Sequence, residues 1–491
     1  MNPRTAWAAL AVFVTLLLIF VGGCSGEVDV PDVAYDPVPE LFEREILPVT
    51  AALPTAACVV PRYSPDSDPV TTDHLVIGMA DGRIASFHEA GGGMVGVSSF
   101  DVSPGQAIDQ VVVYRDPRAA GLGTEHVVLA LHGRRVTAVS LETMSPLGAL
   151  DLPEPVGAWR LHAVGGPGRK GTGSGRSRVV LSDDASVHAL EPGRGSVSGL
   201  ARAEVLSPGG RVVVTPLADC LAVVGRDSVW TIDQRGVLAS DPKKSSGAGG
   251  AVPGPCALAR STKPDRLDFC ARAVDGSWVE RSVALPGSLT TATVVSDSLV
   301  LAGGATYQIP EHRIGWLKLI DARGRVLAES DHPSPVALLA EIGGFLAAQG
   351  GDRNLSVYDS TLLPLWDRAS QVQPVALLPC HFNSDTSADL AVVSSRLYSL
   401  HKSDAEMLEE AIGDWVFMDR AELVPSPVPG REPRYESRLP HIAFFSGNEM
   451  KLRRVLSAFS EQSREAELDR RYGLAVATAV RARAAAAALG D

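Results

Sequence analysis

The chain has 491 residues and a formal net charge of −12 at pH 7, long enough for one large repeat domain or for two to four ordinary ones. Phosphate recognition requires a net basic face, and this balance supplies none, so nucleic acid is excluded as a partner. Forty-seven glycines and 34 prolines among many Val, Leu and Ala residues are the composition of short strands parted by turns.

The first element is an apolar block from about Ala6 to Gly23, with one basic side chain, Arg4, ahead of it. A spanning helix needs roughly 20 apolar residues and basic flanks, whereas this block is short and is followed by acid. A basic start, an apolar middle and small residues at the cut make residues 1–23 a signal peptide; an uncleaved helical anchor is the alternative. Its end, Val21-Gly22-Gly23-Cys24, resembles the bacterial lipobox, although that family prefers leucine where Val21 stands. The resemblance implies that Cys24 is acylated and becomes the first residue of the mature chain, with enough acyl signals for stable anchoring. It therefore implies a location outside the cytoplasmic membrane. Ser25, where an aspartate would retain the protein at the inner membrane, implies the periplasmic face of an outer membrane or the cell surface.

Residues 24–69 are acidic and carry proline, as in "GEVDVPDVAYDPVPELFERE" (Gly26 to Glu45). This is the composition of a tether, with one strand or short helix docked on the body.

From residue 70 to 457 the chain repeats itself. "HLVIGMADGRIASFHEAGG" (His74 to Gly92), "RVVLSDDASVHALEPGRG" (Arg178 to Gly195) and "CLAVVGRDSVWTIDQRGVLA" (Cys220 to Ala239) each hold an apolar strand, a tight polar turn and a second alternating strand, which is a hairpin by the period-2 rule. Leading strands begin near Leu75, Val127, Val179, Leu221, Leu267, Leu299, Phe345, Leu390 and Ile442, spaced by roughly 45 residues, as four-stranded propeller blades are. The gap from Leu267 to Leu299 is short and suggests that these two starts share one blade. The expected fold is all-β: a β-propeller of eight blades, or seven, in which radial repetition leaves only short edges. A pair of β-sandwiches or a β-helix is the alternative.

The words Asp81-Gly82-Arg83-Ile84, "VHALEPGRG", "VWTIDQRG" and "LKLIDARG" resemble the repeat of quinoprotein-like (PQQ-like) and WD-like propellers. That resemblance implies an architecture and little about chemistry. A second stretch, "CHFNSDTSADLAVVS" (Cys380 to Ser394), resembles the calcium loop of FG-GAP or VCBS repeats. The resemblance implies Asn383, Asp385 and Asp389 as metal ligands, but His381 replaces the first aspartate and Thr386 the glycine of the bend. Calcium takes six to eight oxygens, so the loop reads as a decayed site; calcium is the one cofactor the sequence raises, and no other is expected.

If Cys24 carries lipid, Cys58, Cys220, Cys256, Cys270 and Cys380 remain, and an oxidising compartment permits disulfides. Cys256 and Cys270, which enclose a short loop, are the first candidate pair. Gly166, Gly168 and Gly171 have G-x-G-x-x-G spacing, but a strand follows them where a helix is required, and Lys170 is not part of a Gly-Lys-Ser/Thr run. There is no H-E-x-x-H, no clustered Cys/His set and no G-x-S-x-G. His74, His126 and His441 precede leading strands, where an imidazole can bond a neighbouring blade's backbone; Trp230, Trp278 and Trp316 read as packing between blades. No catalytic residue is assigned.

Ser403-Asp404-Ala405-Glu406 reads as a capping box opening a short helical insert near 403–414. Residues 458–491 are rich in helix formers, which predicts a C-terminal helix from about 460 to 489, docked or partner-binding. The resulting reading is a lipid-anchored, non-enzymatic propeller that binds a protein or an envelope polymer, with the membrane reached only through the N-terminal lipid. A quinoprotein-like or glycan-acting enzyme with its site in the central channel, or a calcium-dependent adhesion module, is the alternative.

Overall fold

The computed structural model describes residues 52–60, 73–90, 93–115, 126–164, 178–192, 200–206, 211–217, 220–233, 238–244, 254–259, 261, 263–309, 312–351, 354–369, 372–381, 388–412, 421–426 and 431–447, with 450, 451, 479 and 482. Blade one is β1 (Pro54–Val60), β2 (His74–Met79), β3 (Arg83–Ala90) and β4 (Gly93–Asp101). Blade two is β5 (Gln110–Arg115), β6 (His126–His132), β7 (Arg135–Ser140) and β8 (Pro146–Asp151); blade three is β9 (Arg160–Val164), β10 (Arg178–Ser182), β11 (Val187–Pro192) and β12 (Leu200–Leu206). Blade four is β13 (Val213–Pro216), β14 (Cys220–Val224), β15 (Ser228–Asp233) and β16 (Leu238–Lys244); blade five is β17 (Cys256–Leu258), β18 (Arg266–Arg272) and β19 (Trp278–Ala284). Blade six is β20 (Ser288–Val295), β21 (Leu299–Ile309), β22 (His312–Asp321) and β23 (Val326–His332); blade seven is β24 (Val336–Ile342), β25 (Phe345–Gly350), β26 (Asn354–Tyr358) and β27 (Pro364–Ala369). Blade eight is β28 (Val372–Cys380), β29 (Asp389–His401), β30 (Glu422–Val424) and β31 (Arg434–Phe445), with helix α1 (Lys402–Ile412) between β29 and β30.

The first strands touch in succession from β1 to β28, and β28 touches β1. The fold is therefore a closed eight-bladed β-propeller. Each second strand lies between two neighbouring blades and is covered on both faces, so β2, β6 and β25 are buried throughout, while outer β8 and β23 are mostly open. Apolar cores alternate with the blades. Val76 and Ile84 of blade one meet Val113 and Val128 of blade two, and Leu129 meets Leu161 and Leu181 of blade three. Trp230 packs between blades three and four, Trp278 between four and five, and Trp316 between five and six, as expected.

Short turns are closed by aspartates. The Asp183 carboxylate accepts the N–H groups of Ala185 and Ser186, Asp321 accepts those of Arg323 and Arg325, and Asp359 those of Thr361 and Leu363. An aspartate bonding its own backbone two residues on is a local turn signal, which is why the repeat words centre on Asp. In the first word Asp81 accepts from Arg83 N–H at 3.2 Å, and Gly82 has φ +88° with the Ser103 carbonyl where a side chain would begin.

The nine expected starts divide differently from the expectation. Leu267 and Leu299 belong to separate blades, and it is Leu390 and Ile442 that share one, as β29 and β31 of blade eight. The short gap arises because blade five has three strands. Lys243 and Lys244, at the end of β16, lie parallel to Trp278 and Val279 and fuse blades four and five into one seven-stranded sheet. Followed through that sheet, β17 runs opposite to β13. It also opposes β20, since Cys256 N–H at its start donates to Asp297 beyond the end of β20 (2.5 Å) and Leu289 near the start of β20 donates to Pro264 (2.7 Å). An odd number of strands delivers the chain to the other end of the ring, and inverting the blade restores the order.

The long gap in blade eight holds α1, whose start is not capped as expected. Ser403 lies inside the first turn, and Glu432 accepts both its N–H (2.7 Å) and its hydroxyl (3.0 Å), filling the capping role from outside the helix. β1 falls within the segment read as a tether and is the channel strand of blade one. The C-terminal helix expected near 460–489 lies almost wholly outside the described residues. No described helix is long and apolar enough to cross a membrane.

Candidate functional site: the interlocked rim of blades two to four

A polar constellation lies where the first strands of blades two, three and four begin. Gln110, first residue of β5, reaches blade three: its Nε2 donates to the Leu161 carbonyl (2.8 Å) and its Oε1 accepts the Leu161 N–H (2.7 Å). One amide side chain thus imitates a strand partner across the seam. The Asp183-Asp184 turn joins in. Asp183 Oδ2 accepts Val156 N–H (2.9 Å), Asp184 N–H donates to the Val156 carbonyl (2.9 Å) and Val212 N–H of blade four donates to the Asp184 carbonyl (2.9 Å). The turn bonds hold the Asp183 carboxyl below the usual carboxylate range although desolvation, the largest effect, opposes them.

Over this frame lie exposed charges of both signs. Arg160 pairs with Asp184 at 3.2 Å, Arg134 with Glu154 at 3.5 Å and Arg135 with Asp151 at 3.3 Å. Val156, among them, is 52% exposed. A rigid rim with interleaved charges and an apolar spot suits a protein surface, whereas a polyanion would need one sign.

Within blade three His162 Nε2 lies 3.0 Å from Ser182 Oγ, which invites comparison with a catalytic dyad. Burial, with Arg160 adding to it, pushes His162 down to about 4, so the ring is a weak base, and Asp184 is paired with Arg160. The same histidine–hydroxyl pairing recurs at His132–Thr137 (3.0 Å), His188–Ser186 (2.8 Å) and His441–Ser394 (3.1 Å). A pair repeated within blades is a structural device. His126 pairs with Glu142 of its own blade (3.2 Å), as His441 does with Ser394. His381 crosses a seam through its main chain, bonding Asp73 of blade one.

Cys24, Asn383, Asp385 and the glycine-rich stretch from Gly165 to Gly175 lie outside the described residues. Asp389 opens β29, buried, with its Oδ1 accepting Gly447 N–H at 2.9 Å. No three His, Cys, Asp or Glu side chains among the described residues are placed to hold a metal. Cys256 and Cys270 are both free thiols. Cys256 lies opposite Ala271 and Cys270 opposite Ala257, so alternation points them to opposite faces of the blade. One packs toward blade six and the other toward blade four. Burial pushes both thiols up to about 12.

The rim residues were missed because Gln110 is one polar residue at the head of an apolar strand, and the Asp183-Asp184 doublet reads as an ordinary turn. Replacing Gln110 by Ala is expected to cost about 1–2 kcal/mol, since it leaves the Leu161 N–H and carbonyl without partners. Urea unfolding of the full chain measures it, and a midpoint unmoved by the substitution would show that the bridge holds nothing.

No protein-family model matches the chain, and no curated protein matches it. Among solved structures the chain is similar to the computationally designed Ika8 protein, at 17% identity and a TM-score of 0.43 over 72% of this chain and 96% of that one. It is also similar to Sqt1 of Saccharomyces cerevisiae, at 9% and 0.47 over 74% and 96%, and to the Pan2 WD40 domain of Neurospora crassa, at 10% and 0.40 over 73% and 94%.

Proposed function

We propose that the chain is a lipid-anchored, non-enzymatic envelope protein whose propeller binds a protein partner through the rim of blades two to four, an envelope polymer being the other class of ligand. The observation that carries this reading is the rim itself: loops tied by main-chain bonds present Arg134, Arg135 and Arg160 beside their acids and Val156. Preorganised loops lose little entropy on binding. Cys24 supplies the anchor in this proposal, and residues between it and β1 hold the ring off the lipid.

A central-channel enzyme would need several carboxylates and aromatics around one point. The described channel strands carry Glu341 as their single carboxylate, and it accepts the Ser296 N–H and hydroxyl, each at 3.2 Å. This favours the binding reading over the quinoprotein-like or glycan-acting one.

Crosslinking in cells tests it, using the full-length protein, Cys24→Ala, and a rim variant combining Val156→Asp with Arg160→Glu. The expected result is a defined envelope partner captured by the unsubstituted protein, lost when Cys24 is replaced, and reduced about tenfold by the rim variant at unchanged thermal stability. Equal capture by the rim variant would move the interface elsewhere. Copurification of a small molecule with no protein or polymer captured would overturn the proposal in favour of the channel.

A further inference from the structure

Blade five has an open outer edge. Its third strand, β19, pairs with β18 from Trp278 to Ala284, whereas β16 covers it only at Trp278 and Val279. Burial follows that cover. Trp278 and Val279 are buried, Glu280 and Arg281 are half-buried, Ser282 and Ala284 are exposed, and Val283 is turned inward. The third strands of blades two and seven, paired with a fourth strand along their length, are buried after their first residue. No other described strand pairs with residues 280–284, so they present the free main-chain groups of a sheet edge.

Side chains alternate between the two faces of this strand. Val283 packs against blade six, which places Arg281 on that face. Trp278 packs against blade four, which places Glu280, Ser282 and Ala284 on the other, with Arg266 of β18 opposite Ala284. The acids here are occupied: Glu280 pairs with Lys243 at 3.0 Å, and Asp268 accepts from the Ser282 hydroxyl. The two arginines are not. Arg281 Nε has no hydrogen-bond partner, and neither Arg281 nor Arg266 forms an ion pair among the described residues. Exposed Lys263 offsets exposed Asp265 beside Arg266. One unpaired cation therefore lies on each face of an open edge, in a chain whose net charge is −12.

We propose that a partner protein adds an extended acidic strand at this edge, as the fourth strand of blade five alongside residues 280–284. Strand addition takes its affinity from main-chain bonds and its specificity from alternate side chains. Arg281 meets a carboxylate directly opposite it on the added strand. Three positions along, opposite Ala284, a second carboxylate lies on the other face, and Arg266 reaches it across the single methyl of Ala284. Opposite charges on neighbouring strands attract, so two acids three residues apart are the pattern this edge selects. A second copy of this chain fits less well, because two such edges paired antiparallel about Ser282 set their Arg281 side chains diagonal to each other. The site does not depend on the rim of blades two to four.

The test uses the full chain and a fluorescein-labelled decapeptide of threonine and valine carrying two glutamates three residues apart, with a counter-probe in which lysine replaces both. Fluorescence anisotropy should show the glutamate peptide bound at least about tenfold more tightly than the lysine peptide, and the double variant Arg266→Glu with Arg281→Glu should reverse that preference. Hydrogen exchange should slow in residues 280–284 when the glutamate peptide is added. Equal binding of the two peptides, or binding of neither, would overturn the proposal. So would exchange in residues 280–284 of the free chain as slow as in β7, since the edge would then already be covered. Exchange that slows with protein concentration alone would also overturn it, since the occupant would then be a second copy. If the double variant does not fold, the two peptides on the unsubstituted protein decide.

Discussion

Replacing Trp278 by alanine is expected to destabilise the propeller by about 3–5 kcal/mol, the cost of removing a large aromatic from a closed core. Trp278 is fully buried and sits among Ala222, Val224 and Val229 of blade four and Ala257 and Cys270 of blade five. Its backbone is also where Lys243 joins the two blades. Three-stranded, inverted blade five has few strands of its own, so it depends on this junction more than a four-stranded blade would. The indole Nε1 has no hydrogen-bond partner, so Trp278→Phe keeps most of the apolar area, discards an orphaned donor, and should cost about 1 kcal/mol or less. Equilibrium denaturation of the full chain measures both. If the phenylalanine variant falls as far as the alanine variant, the indole nitrogen matters and the packing account is wrong.

The same blade shows what a sequence conveys about such a ring. Second strands are covered on both faces and read as unbroken apolar runs, as in "HVVLALH", so all eight of their positions were legible. First strands line the channel and are less uniform: β13 is four residues ending in proline, and β17 is three. They carry no comparable signal. The expected count of eight was right, but it merged Leu267 with Leu299 where Leu390 and Ile442 are the pair that shares a blade, so the place of each strand within its blade was not readable. Blade inversion was hidden for a different reason. It follows from a parallel pairing of two residues, Lys243 and Lys244, with Trp278 and Val279, and two-residue contacts leave no periodicity. Cys256 and Cys270 show the converse: sequence spacing suggested a bridge, and the register of β17 on β18 forbids one. The rim was illegible because it is tied together through main-chain groups, which every residue carries alike.

The ring closes without sharing a strand, and this makes Asp73 the second residue whose loss should be felt. Blade one is built from residues 54–101 and blade eight from residues 372–445, so their seam is held by side chains, with Leu75, Ile77 and Phe87 against Ala391, Val393 and Ile442, and by a polar clasp. Asp73 N–H donates to the His381 carbonyl at 2.9 Å, the Asp73 carboxylate accepts His381 N–H at 2.7 Å, and His381 Nδ1 lies 3.5 Å from the same oxygen. Asp73 is 2% exposed, and a hydrogen bond to a buried charged group contributes about 1.5–3 kcal/mol. Asp73→Ala is thus expected to cost about 2–3 kcal/mol, and Asp73→Asn, which retains an acceptor, roughly half of that. Because the clasp spans one seam, the loss should be local. Hydrogen exchange should quicken first in β2 and β29, while β14 and β15 on the far side keep their protection. Uniform acceleration across all eight blades would mean that the seam opens only with global unfolding, and the clasp would then be one bond among many.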